Sequence, residues 1–181
     1  MSPNLVIIPT YNEIENIEKM IHTVFDLTLD FDILVVDDNS PDKTAEKVKE
    51  LQAKFPNKLY LLERKGKLGL GTAYITGFKY ALERDYQYIF EMDCDFSHNP
   101  DDLLKLHATC AKDGYDVAVG SRYVSNGGFH NWPLFRVFLS KFASYYVEFI
   151  LGTGVKDSTA GFVCYKAKVL SVIDLDQIKF I

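Results

Sequence analysis

The stretch Tyr86-Gln87-Tyr88-Ile89-Phe90-Glu91-Met92-Asp93-Cys94-Asp95-Phe96 decides how the rest of the chain is read. Residues 86–92 form an apolar, strand-like run, and two carboxylates two positions apart follow its end. In extended chain, side chains at i and i+2 share a face. Asp93 and Asp95 therefore point one way and Cys94 points back toward a core. Two carboxylates this close repel each other unless a cation lies between them. An oxygen-only site with few protein ligands suits Mg²⁺ or Mn²⁺, with a substrate phosphate completing the shell. A solvated acidic turn would carry the same residues, so the choice rests on the surroundings.

Outward from that strand, β-branched apolar runs alternate with helical patterns. Strands are expected at residues 5–8, 33–36, 59–62, 86–92, 117–119 and 162–165. Between them, residues 13–25 place Ile14, Ile17, Ile21 and Val24 on one helical face. A second helix is expected over 41–55, with Ser40 as N-cap and Pro41 in the first turn. Further helices are expected over 71–84, over 100–112 behind an Asn99 cap, and over 133–151. Continuous apolar strands separated by helices mean a mostly parallel central sheet covered on both faces, an α/β Rossmann-like three-layer sandwich. No repeat, low-complexity tract or linker divides residues 1–181, so one domain is expected.

Composition narrows the function classes. The chain has 181 residues, 48% of them hydrophobic, enough for a real core. Its net charge of −5, with no Lys/Arg run, argues against nucleic-acid binding through a basic face. Three scattered cysteines, Cys94, Cys110 and Cys164, show neither disulfide nor zinc spacing and fit a reducing compartment. The start MSPNLVIIPT does not read as a signal peptide. The most apolar long run, residues 134–151, contains Arg136, Lys141 and Glu148 and does not read as a spanning helix.

The functional signal is where the polar residues fall. Parallel α/β sheets bind ligands at the carboxyl ends of their strands. Those ends carry Pro9-Thr10-Tyr11-Asn12-Glu13, Asp37-Asp38-Asn39-Ser40, Asp93-Cys94-Asp95 and Ser121-Arg122. One edge would then hold several carboxylates, an aromatic ring and an arginine. Gly66, Gly69 and Gly71 precede a helix but lack the dinucleotide fingerprint spacing and follow the third strand. They read as close backbone approach, and Lys67 among them as a solvated side chain or a phosphate contact.

Five segments in register carry a resemblance: Val6 to Glu13, Val36 to Asp42, Leu68 to Tyr74, Met92 to His98, and Gly120 to Tyr123. The chain resembles family 2 glycosyltransferases of the GT-A fold and, within them, is most similar to dolichol-phosphate (polyprenol-phosphate) mannose synthases. The resemblance implies a transferase that moves mannose from GDP-mannose to a polyprenyl (dolichyl) monophosphate with inversion. On it, Pro9, Tyr11, Glu13, Asp38, Asp93 and Arg122 serve the donor, and Tyr11 can stack on the base. Asp37 could instead be a structural turn residue, and Asp42 a first-turn acid. Asp93 and Asp95 would hold Mg²⁺ or Mn²⁺ on the diphosphate, with Asp95 and Arg122 as the catalytic pair. Ser97 stands where family members often have a metal-binding Gln, a shorter and weaker ligand. His98 reads as an exposed loop histidine or a group behind the metal.

Arg136 and Ser140, four apart on one helix face, match an Arg and Ser that hold the acceptor phosphate in the resembled enzymes. Aromatics from Trp132 to Phe149 surround them, which fits partial burial combined with contact at a membrane surface. A cytoplasmic protein, peripheral at the membrane face, is the expectation. Asp157 could face the acceptor or cap a turn. Family members continue past the equivalent of Ile181 with a further arginine, so a C-terminally truncated catalytic domain with an incomplete acceptor side is expected. Two alternatives stand beside this reading. One is a UDP-sugar-dependent transferase acting on a lipid phosphate or polysaccharide. The other is a non-catalytic nucleotide-binding subunit.

Overall fold

The computed structural model describes residues 2–121, 142, 145–150, 152, 154, 155, 157 and 159–178. The chain order is β1 (Asn4–Thr10), α1 (Ile17–Phe25), β2 (Asp32–Asp37), α2 (Thr44–Gln52), β3 (Leu59–Glu63), α3 (Leu70–Leu82), β4 (Tyr88–Glu91), α4 (Asp102–Ala111), β5 (Val117–Val119) and β6 (Val163–Lys166). A short helix, Ala167–Ser171, follows β6.

The six strands form one sheet in the order β3-β2-β1-β4-β6-β5. β1 pairs in parallel with β2 and β4, and β2 with β3. β6 is antiparallel to both its neighbours, so it alone runs against the other five. Its insertion between β4 and β5 is a tertiary choice with no local signature.

The alternation of side chains along each strand builds two cores. Val6, Ile8, Ile33, Val35, Phe90 and Met92 face α1, α2 and α4 and pack with Met20, Ile21, Val48 and Leu103. Leu5, Ile7, Leu34, Val36 and Ile89 face α3 and pack with Ala73, Phe78 and Ala81. β1 and β2 sit between these layers with nearly every residue buried, as continuous apolar strands require. The α/β three-layer sandwich and the mostly parallel sheet are therefore as expected.

Several expected boundaries move. α1 begins at Ile17, because residues 14–16 form a turn on the Glu13 carbonyl, which accepts from the Asn16 and Ile17 N–H groups. α2 begins at Thr44, because Ser40 donates its hydroxyl to Asp37 Oδ1 (2.6 Å) instead of capping a helix. Asp42 takes the capping role: its Oδ1 accepts from the Thr44 N–H (3.0 Å) and the Thr44 hydroxyl (2.6 Å). Asn99 Oδ1 accepts from the Asp101 N–H (3.2 Å), in the turn before α4.

Candidate active site

Parallel strands deliver β1, β2 and β4 to the same edge, and three loops leave from there. They meet in a cleft of about 310 Å³ lined by Pro9, Tyr11, Glu13, Asp38, Asp93 and Asp95, together with Thr10, Lys67, Gly69, Leu70, Ala73 and Cys94. Every donor-side residue expected from the sequence, apart from Arg122, lines this one cleft. Arg122, Arg136 and Ser140 lie outside the described residues.

The loop after β1 is held by bonds from the loop after β2. Asn12 N–H donates to Ser40 Oγ (3.1 Å), Glu13 N–H to Thr44 Oγ1 (3.0 Å) and Ile14 N–H to Asp42 Oδ2 (3.0 Å). Asp42 thus links two loops and is more than a first-turn acid. Asp37 is fully buried and accepts from the Thr10 hydroxyl (2.9 Å), the Ser40 N–H (2.9 Å) and the Ser40 hydroxyl (2.6 Å). That makes it the structural turn residue of the pair and leaves Asp38 to the cleft.

Asp38 is not a free carboxylate. Arg64, just past β3, donates Nε and Nη2 contacts to Asp38 Oδ1, and the Leu68 N–H donates to Oδ2 at 3.2 Å. The same guanidinium donates to Thr72 Oγ1 (2.7 Å) and to the Gly69 carbonyl (3.1 Å). The two side chains are only 8% and 9% exposed, so this is a buried pair fixing the glycine loop. Gly69 sits at φ 97°, a conformation open to glycine and costly for other residues. Sequence reading missed Arg64: an arginine after a strand reads as solvated, and only the fold brings Asp38 to it.

Lys67 is placed more definitely than expected. It lines the cleft with its Nζ 4.3 Å from the centroid of the Tyr11 ring, a cation–π contact on the ring expected to stack a base.

At the other end of the cleft, Cys94 is buried toward the core, while Asp93 is half-buried and Asp95 exposed, the alternation expected of an extended segment. Burial pushes the Asp93 carboxyl above its ordinary range and the nearby Asp95 charge adds to this, while the Tyr74 hydroxyl, donated to Asp93 Oδ1 at 3.2 Å, opposes it. Burial, then Asp93, pushes the Tyr74 phenol well up, so it remains a donor. Glu91 is pushed up to about 7 by burial and then by Asp93.

Ser97 donates its N–H to Asp95 Oδ1 (2.9 Å) and its hydroxyl to Oδ2 (2.8 Å). Here it orients Asp95. The turn puts Phe96 at φ 57°, a costly conformation for an aromatic residue and one often met at functional loops. His98 stacks on Phe162 with centroids 4.9 Å apart and is half-buried, which corrects its reading as an exposed loop residue. Asp157 is buried and accepts from the Thr159 N–H (3.3 Å) and hydroxyl (3.2 Å), so it does cap a turn.

The charge pattern tests whether a metal suits the site. Four carboxylates line the cleft, and Lys67 is the one basic side chain among its lining residues. A diphosphate would be repelled there unless a divalent cation joined it to Asp93 and Asp95. Among the described residues no group of three His, Cys, Asp or Glu converges on a point. Two carboxylates completed by phosphate oxygens fit Mg²⁺ or Mn²⁺ and do not fit a closed all-protein cage.

Residues 5–174 match the profile of Glycosyl transferase family 2. The chain belongs to that family. Within it, the chain is 45% identical over 174 residues to the polyprenol monophosphomannose synthase of Mycolicibacterium smegmatis, covering 96% of this chain and 65% of that protein. It is 43% identical to the undecaprenyl-phosphate mannosyltransferase of Micrococcus luteus, covering 97% and 71%. It is 39% identical to the dolichol-phosphate mannosyltransferase of Pyrococcus furiosus, covering 97% and 49%. The chain thus spans between about half and seven-tenths of the length of these relatives.

Solved structures of this fold include a mannosyltransferase from Pyrobaculum calidifontis in complex with GDP-Man and Mn²⁺. It superposes with a TM-score of 0.63 at 19% identity, over 94% of this chain and 46% of that one. The glucosyl-3-phosphoglycerate synthase of Mycobacterium tuberculosis, with Mn²⁺, UDP and its product, gives 0.67 at 17% identity, over 94% and 58%. These likenesses fix the fold of this family 2 member as GT-A.

Proposed function

We propose that this family 2 chain transfers mannose from GDP-mannose to a polyprenyl monophosphate, with inversion at the anomeric carbon. The observation that carries the reading is the single cleft uniting Pro9, Tyr11, Glu13 and Asp38 with the Asp93–Asp95 pair. The names of the relatives, all mannose transferases or synthases acting on polyprenol, undecaprenyl or dolichol phosphates, support the substrate pair.

In this reading Tyr11 stacks on the base, and Glu13 and Asp38 accept hydrogen bonds from base or ribose. Asp93 and Asp95 hold the metal, with Ser97 turning from Asp95 to join them. A bound Mg²⁺ or Mn²⁺ would neutralise charge on the leaving diphosphate. Arg122 serves the transferred sugar or diphosphate, its planar fork suiting phosphate oxygens. Arg136 and Ser140 hold the acceptor phosphate. No protein base is required: a phosphate monoester has a second pKa of about 6 and is mostly dianionic at neutral pH. A phosphate oxygen of the acceptor forms the new bond to the anomeric carbon. The bond from that carbon to the diphosphate breaks, and GDP leaves with the electron pair. The chain supplies alignment and charge stabilisation.

Membrane contact rests on a separate observation. Phe142, Tyr145, Tyr146, Phe149 and Ile150 are all exposed, and residues 145–150 are helical. Positions 145, 146, 149 and 150 share one helical face, the pattern of a helix lying in a bilayer surface. Among the described residues no helix is long and apolar enough to cross a membrane. Peripheral contact with a membrane surface is the reading that the exposed aromatic face supports.

The test is transfer by purified protein in micelles containing polyprenyl phosphate, with GDP-mannose set against UDP-glucose. Mannosyl-phospholipid formed from GDP-mannose alone is the expected product. Turnover with UDP-glucose and none with GDP-mannose would overturn the donor assignment.

A further inference from the structure

α3 touches both ends of the cleft through residues two positions apart. Thr72 bonds Arg64, which holds Asp38, and Tyr74 donates its hydroxyl to Asp93 Oδ1. The Tyr74 ring is buried and packs parallel to Phe78, with centroids 6.3 Å apart. On the far side of the same carboxylate, Oδ2 lies 3.3 Å from the place a Cβ on Gly161 would take. Asp93 is thus bounded by a hydroxyl at one oxygen and by bare backbone at the other, and it emerges from β4 beside Asp95.

We propose that Tyr74 is a positioning residue for the cation site: its hydroxyl engages Asp93 Oδ1 and holds the carboxylate in the orientation that presents Oδ2, beside Gly161, to a divalent metal. This rests on the reading that Asp93 and Asp95 bind the metal of a nucleotide diphosphate. Hydrogen-bonded partners of metal ligands fix ligand orientation, and their loss typically lowers metal affinity by about 10–100-fold. The ring's packing against Phe78 is a separate, structural role, and the two can be separated by substitution.

The experiment is calorimetric titration of GDP into wild type, Tyr74→Phe and Phe78→Leu, each with Mn²⁺ and with a chelator, alongside thermal melting. Tyr74→Phe is expected to lower the gain in GDP affinity brought by Mn²⁺ by about tenfold, with chelator-state affinity unchanged. Phe78→Leu is expected to lower the melting temperature while keeping the wild-type gain. A Tyr74→Phe gain equal to wild type, or an equal loss in Phe78→Leu, overturns the role of the hydroxyl and leaves the metal reading standing. Wild-type affinity that ignores Mn²⁺ overturns both.

Discussion

Asp93 and Asp32 each accept a hydrogen bond from a tyrosine hydroxyl, at opposite ends of the same sheet. Tyr74 reaches Asp93 at 3.2 Å at the carboxyl edge, and Tyr86 reaches Asp32 at 2.7 Å where β2 begins. Burial is the main cause raising the pKa of both carboxyls. The surroundings differ. Asp32 is 0% exposed, and its second oxygen has no hydrogen-bond partner among the described residues. Asp93 opens into a cleft beside Asp95. One chemical pairing therefore serves two ends: a sealed carboxylate that knits β2 to the residues before β4, and an open one whose strain a cation would relieve. Asp38 is a third case, at the carboxyl edge but neutralised by Arg64.

The comparison sharpens most at Asp38. Removing one partner of a buried ion pair leaves an uncompensated charge, so Arg64→Ala is expected to cost about 3–5 kcal/mol of stability. GDP affinity should fall with it, because the glycine loop loses its tie. Urea unfolding and GDP titration check this, and an unchanged midpoint would place Asp38 with the solvated carboxylates.

Next is the sealed end. Tyr86→Phe deletes the hydroxyl donor to Asp32 and is expected to destabilise by about 1–3 kcal/mol without altering Mn²⁺-dependent GDP binding. A change in metal dependence would erase the distinction between the two ends.

The smallest effect is a pH dependence. The folded Asp32 carboxyl titrates above its ordinary range, so its contribution to stability is present below a pH of about 4 and is lost as pH rises through the raised native value. Asp32→Asn removes that loss. Its melting temperature should match or trail wild type in acid and exceed it at pH 7. A gap that narrows with rising pH would reverse the sign.

Much of the carboxyl edge was legible from the sequence, because the period of two in a strand and the strand-end rule act locally. The shared face of Asp93 and Asp95 followed from the strand period, and the segments 9–13 and 37–40 from where β1 and β2 end, while the choice of a metal pair over a solvated turn and of Asp38 over Asp37 needed the surrounding motifs and the family resemblance. What was not legible depends on long-range contact. The later start of α1 comes with Asp42 and Thr44 holding the Glu13 and Ile14 N–H groups. Arg64 gains meaning only when β3 is set beside β2. Tyr74 stands in the sequence only as the end of the segment Leu68 to Tyr74, and its hydroxyl matters because α3 packs over β1 and β4. The antiparallel course of β6 likewise has no local cause.

The most direct measurement is calorimetric titration of GDP, with and without Mn²⁺, into wild type and Asp95→Ala. Wild type should bind GDP far more tightly with Mn²⁺, and Asp95→Ala should lose most of that gain, because one of only two protein ligands is removed. Equal affinity of the two proteins in the presence of Mn²⁺ would contradict a metal site built on Asp93 and Asp95.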